Sequence, residues 1–127
     1  MTVALWCILI AIFLPYLCVG VAKISRGYRL KDNHDPRDFL ESLNGFGRRA
    51  HAAQLNSFEV TPAFAAAVIV AHLAGNAELV TIDVLSVLFI TSRLLYIICY
   101  LADWAILRSL VWFVGMGLII SLFVVSA

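Results

Sequence analysis

Residues 50–74 read AHAAQLNSFEVTPAFAAAVIVAHLA. The stretch is long enough to cross a bilayer as a helix, which takes about 20 residues. Its second half is almost wholly apolar, and Gly75-Asn76 closes it as Gly and Asn close helices. Its first half is different, with His51, Gln54, Asn56, Ser57 and Glu59 in or near the apolar run. A charge at membrane depth costs about 2.5–3.5 kcal/mol on insertion scales, so Glu59 must face protein or a cavity.

Working outward, three more apolar runs appear. Together the four spans cover about 3–22, 50–74, 79–101 and 108–126, with a polar segment at 23–49. Arg93 interrupts the third span. The first reads as a retained span and not a cleaved leader: no basic residue precedes it and no small-residue cleavage site follows. Pro15 is a candidate kink in it. Asp35 and Pro36 fit the N-cap and first turn of a short helix, whereas Gly45 and Gly47 argue against helix just before residue 50. The fold class is therefore all-α: one integral membrane domain, residues 1–127, built as a four-helix bundle.

Composition agrees. Hydrophobic residues make up 63% and charged residues 13% of the chain, where soluble domains have about 45–50% and 25%. Mean hydropathy is +0.98. A net charge of +1 excludes a general nucleic-acid binder, which needs a basic face. Cys7, Cys18 and Cys99 lie inside apolar runs without metal-ligand or disulfide-framework spacing, and read as small buried hydrophobes. No metal site is expected.

Short connections make neighbouring spans antiparallel, and an even number puts both termini on one side. Lys23, Arg26, Arg29, Lys31, Arg37, Arg48 and Arg49 crowd the first polar segment, Arg108 follows the third span, and the second connection has only Glu78 with Asp83 just beyond. The positive-inside rule then places the basic segments in the cytoplasm and both termini outside.

Helical spacing groups the polar residues. Asn56 and Glu59 are three apart on one face of the second span, continued by Ala63 and Ala66; Ala63, Ala67 and Ala71 add small residues at four-residue spacing. Arg93, Tyr96 and Tyr100 share a face of the third, and Arg108-Ser109 open the fourth at similar depth. Two readings stay open. Glu59 and Arg93 form an interhelical ion pair with tyrosines snorkelling to the interface. Or the cluster lines a cavity for a small anionic or zwitterionic cytoplasmic ligand, whose carboxylate an arginine grips through two bonds. His72 reads as a polar packing residue, His34 as a solvated one, and Asp83 as exposed or serving a helix N-terminus.

The segment Arg48–Pro62, RRAHAAQLNSFEVTP, with Asn56, Glu59 and Pro62 at its centre, resembles the second-helix signature of the MAPEG family, the membrane-associated proteins of eicosanoid and glutathione metabolism. Arg93 with Tyr96 and Tyr100, then Arg108-Ser109, resembles the third- and fourth-helix pattern, and the likeness covers essentially the whole chain. The resemblance implies a homotrimer with glutathione as co-substrate, held between subunits near the cytoplasmic side. It implies glutathione contacts for Arg49, Asn56, Glu59, Arg93, Tyr96 and Tyr100, and thiol activation by Arg108 and Ser109. The partner substrate would be a lipophilic electrophile or hydroperoxide, and the likeness to short bacterial members implies a bacterial inner membrane. Leu55 and Trp112 depart from the family pattern, where some members carry arginine and tyrosine. Two other functions compete: a non-catalytic lipid-binding member, and a small four-span transporter. Such transporters tend to place an acid in the first span, which here has no charge.

Overall fold

A computed structural model describes all residues, Met1–Ala127. The elements are α1 (Val3–Ser25), a 3-10 helix (Leu30–His34), α2 (Pro36–Glu41), α3 (Gly45–Ala74), α4 (Leu79–Leu101) and α5 (Ala105–Val124). Helices α1, α3, α4 and α5 are each long and apolar enough to cross a membrane, and the chain is an integral multi-pass membrane protein.

α1 runs on to Ser25, three residues past the expected end, and α5 begins at Ala105 and not at Arg108, because the Asp103 turn brings the chain back early; Arg108 and Ser109 thus lie within α5 and do not open it. α3 begins earlier than expected, because a tertiary contact overrides the low helix propensity of glycine. Gly47 is buried against the end of α1, where a Cβ would lie 2.6 Å from Ser25 Oγ. The short helix α2 forms as its first residues foretold: Pro36 occupies the first turn and Asp35 Oδ1 accepts from Asp38 N–H at 3.0 Å.

α1 buries a stripe of small residues, Ala4, Cys7, Ala11, Cys18 and Ala22. Small side chains let backbones approach closely where no hydrophobic effect drives helices together. The main core joins Ala4, Cys7 and Ala11 of this stripe to Val60, Phe64, Ala67, Val68 and Ala71 of α3, Ile82, Phe89 and Ile90 of α4, and Ile119 and Leu122 of α5, while Cys18 and Ala22 belong to two smaller clusters nearer the other end. Phe64 and Phe89 stack at its centre, 4.0 Å apart and 14° from parallel. All three cysteines are buried and free.

Pro15 is buried inside α1 and cannot donate to the Ala11 carbonyl four residues back. Thr61 Oγ1 of α3 donates to Ser57 O at 2.6 Å and lies 3.3 Å from that carbonyl, so its single proton is shared between its own helix and the gap that proline leaves.

At the end that holds both termini, α3 and α4 clamp the start of α1. Asp83 Oδ1 accepts from Ala4 N–H at 2.7 Å, so Asp83 serves a helix N-terminus other than its own. His72 Nε2 is 2.8 Å from Thr2 Oγ1, and its Nδ1 donates to Val68 O at 2.8 Å. Asn76 Nδ2 donates to Ser126 O at 3.2 Å and fixes the C-terminus beside it.

Candidate functional site

The polar cluster lies toward the opposite end, on the α4–α5 side of α3. A turn after α4 sets its geometry. Asp103 takes the left-handed conformation (φ 60°), tolerable for Asp, and Trp104 N–H bonds back to Cys99 O at 2.9 Å. α5 therefore starts directly beside the end of α4, which returns Arg108 to the level of Tyr100.

A cavity of about 230 Å³ is lined by Asn56, Tyr96, Tyr100, Arg108, Ser109, Trp112 and Phe113. Five of these are residues that the sequence singled out for the site. The Arg108 guanidinium lies over the Tyr100 ring, 4.4 Å from its centroid. Tyr100 meets Tyr96 edge to face at 5.6 Å, and Tyr96 in turn carries the Arg93 guanidinium at 4.2 Å. Arg93, Tyr96, Tyr100 and Arg108 thus form a continuous ladder of cation–π and aromatic contacts, each worth about 0.5–2 kcal/mol. Ser109 is exposed and donates to Ala105 O at 3.1 Å.

Arg93 forms the buried end of this ladder. It is only 2% exposed and does not line the cavity. The direct ion pair with Glu59 does not form, because Asn56 intervenes. Arg93 Nη2 donates to Asn56 Oδ1 at 2.8 Å, and Asn56 Nδ2 donates to Glu59 Oε2 at 3.3 Å. Arg93 Nε has no partner at all. The amide orientation of Asn56 follows: its oxygen is committed to the guanidinium and its NH₂ group to Glu59. Glu59 itself, expected to face protein or a cavity, is exposed within this one chain and lines neither that cavity nor the bundle core; its one side-chain contact is the Asn56 amide.

Arg49 sits apart from this cavity. Its Nε and Nη2 donate to Leu101 O at 3.3 and 3.2 Å, tying α3 to the open carbonyl end of α4.

A second cavity, about 500 Å³, lies on the α1 side of α3 and is lined by Tyr16, Arg37, Leu40, Glu41, His51, Gln54, Leu55 and Phe58. His51 Nδ1 and Gln54 Oε1 are 3.0 Å apart in its wall, and Arg48 Nη1 donates to Glu41 O at 3.1 Å nearby. Sequence reasoning missed Tyr16, Arg37 and Glu41 as cavity residues. They converge only because α2 folds back onto α3, and the Asp35-Pro36 helix start was the one local sign of that. The two positions that depart from the family pattern fall on different sides of α3: Trp112 lines the first cavity and Leu55 the second.

A model of the MAPEG family matches residues 3–127. No curated protein and no solved structure matches the chain.

Proposed function

The chain belongs to the MAPEG family, and from that premise we propose that it is a glutathione-dependent membrane transferase acting on lipophilic electrophiles, with peroxide reduction as a related activity. The observation that carries this reading is the first cavity, where Arg108, Ser109, Tyr96, Tyr100 and Asn56 converge at one level of the bundle.

A free thiol has a pKa near about 8.5 and is mostly protonated at neutral pH, while the thiolate is the nucleophile. A thiolate in this cavity would meet the half-buried Arg108 guanidinium and the Ser109 hydroxyl. Each favours the anion. The sulfur then forms a bond to an electrophilic carbon, the leaving group departs with its electron pair, and the thiol proton goes to solvent. Asn56 NH₂ and the Tyr96 and Tyr100 hydroxyls would donate to glutathione's carboxylates and amides, and Glu59 would accept from its amine. Arg93 would act from behind, through Asn56, and Arg49 would add positive charge at the rim. The lipophilic partner would reach the cavity from the bilayer past Trp112 and Phe113.

The site would be completed between subunits. The first cavity faces the α4–α5 side of α3 and the second faces the α1 side. A head-to-tail ring brings unlike faces of neighbouring copies together, and a closed ring of three does so without free ends. Glu59, exposed at membrane depth, then gains protein neighbours. The excess of basic residues in segment 23–49 supports a cytoplasmic position for this end of the bundle, which would leave both termini outside.

The test is glutathione binding to purified protein in detergent, by calorimetry and thiolate absorbance in one preparation. Binding with a thiolate signal is expected. Binding without it would point to a non-catalytic ligand-binding member, and no binding at millimolar glutathione by folded protein would refute the proposal.

A further inference from the structure

α1 has no charged residue before Lys23. Its 23 residues extend about 34 Å, slightly more than the hydrocarbon thickness of a bilayer. Its last turn and the residues after it therefore stand at headgroup depth. Lys23, Arg26, Arg29 and Lys31 cluster there with no acidic residue among them. Of the carboxylates that follow, Asp32 Oδ2 accepts from Arg29 N–H at 2.8 Å and Asp35 Oδ1 from Asp38 N–H at 3.0 Å; with Asp38 they line a pocket that only Lys31 of the four cations borders, so Lys23, Arg26 and Arg29 stand clear of it.

The segment is built rather than loose. Gly27 (φ 66°) turns the chain, and Tyr28 N–H bonds to Lys23 O at 3.1 Å. The Tyr28 ring packs edge-on against Phe39 at 5.1 Å, with Lys23 Nζ 4.2 Å from its centroid. Two aliphatic side chains project outward beside the cations: Ile24 is 82% exposed and Leu30, flanked by Arg29 and Lys31, is 93% exposed. An aliphatic group between two cations at this depth suits the boundary of a bilayer, where it enters the acyl region while the cations meet phosphates. The other end of the bundle has Glu78 and Asp83 and no lysine or arginine, so the complementarity is confined to one leaflet.

We propose that Lys23–Lys31 is a docking surface for the headgroups of anionic phospholipids. The cations hold the phosphates, and Ile24 and Leu30 anchor the segment beneath them. Clusters of juxtamembrane cations select anionic lipids in this way, and the attraction weakens as salt shortens the Debye length.

The test reconstitutes the full chain in phosphatidylcholine bilayers containing phosphatidylglycerol. Spin-labelled lipids of each class report which is held at the protein surface. The native chain should prefer phosphatidylglycerol by about threefold at low salt, with the preference falling in 1 M salt. The variant carrying Lys23→Gln, Arg26→Gln, Arg29→Gln and Lys31→Gln should bring the ratio close to one. Leu30→Ser, which leaves every charge in place, should lower it partly. If the fourfold variant loses helical content, Arg29→Gln with Lys31→Gln is read instead and should give an intermediate ratio. A native ratio of one, or a ratio unchanged in the charge variants, overturns the proposal. So does stronger inhibition by inorganic phosphate than by chloride at equal ionic strength, which would mark a discrete phosphate site and not a lipid surface.

Discussion

Asn56 stands between a buried cation and an exposed anion, so its removal isolates what it does for Arg93. In Asn56→Leu the guanidinium keeps its contact with Tyr96 but loses its 2.8 Å bond, and its Nε already lacks a partner. A hydrogen bond to a charged group is worth about 1.5–3 kcal/mol, and the loss is felt in full when the charge stays buried. Arg93 is 2% exposed and cannot turn to water without disturbing the packing around it. We expect Asn56→Leu to cost about 2–3 kcal/mol. Arg93→Met should behave differently. It surrenders the bond and a cation–π contact, but it also removes a desolvated charge, and exchanges of this kind often come out near neutral. The double variant should therefore be more stable than Asn56→Leu alone, with a coupling of about 2 kcal/mol in the cycle. The measurement is unfolding by SDS titration in mixed micelles, following helical content, for the four proteins side by side. A coupling below about 0.5 kcal/mol, the usual range for independent sites, would show that Asn56 does not carry the charge of Arg93.

Further outcomes are expected elsewhere in the molecule. Arg108→Ala should leave the assembly intact in size-exclusion chromatography, abolish the thiolate absorbance of bound glutathione and lower kcat/KM roughly a hundredfold, the usual scale for deleting a group that stabilises developing or resident negative charge. Asp83→Ala removes the acceptor 2.7 Å from Ala4 N–H; it should cost about 1 kcal/mol and speed amide exchange at the start of α1, while unchanged exchange there would deny the clamp. Thr61→Val keeps the shape but removes the hydroxyl near Ala11 O; a loss of about 1 kcal/mol in the same SDS titration is expected, and none if the Pro15 gap needs no partner. Phe64→Ala empties the centre of the core opposite Phe89, and a loss of about 3–5 kcal/mol should appear as a lowered thermal midpoint in detergent.

Much of the candidate site was legible along single helices. Asn56 with Glu59, and Tyr96 with Tyr100, share faces because residues three or four apart on a helix must. Antiparallel hairpins then put Arg108 and Ser109 at the same depth, and all but Glu59 of these residues line one cavity. Arg93 followed the same periodicity to the same face, but it packs inward onto Asn56 and not toward the cavity. Arg49 lay within the family signature and is tied to the end of α4.

The amino-acid sequence by itself determined the membrane class, the presence of four spans, the Asp35-Pro36 helix start and the common side of the two termini. These follow from apolar length, helical period and turn chemistry, all of which act over a few residues. The tertiary structure alone decided that α3 runs back to Gly45, that Thr61 comes within reach of the carbonyl behind Pro15, and that Asp83 and His72 hold the start of a different helix. It also decided that α2 folds back to enclose a second cavity on the α1 side of α3. Periodicity assigns a residue to a face. Which neighbour covers that face depends on how closely small residues such as Ala4, Cys7 and Gly47 let the helices approach, and on which backbone groups that approach leaves needing a partner in a medium without water.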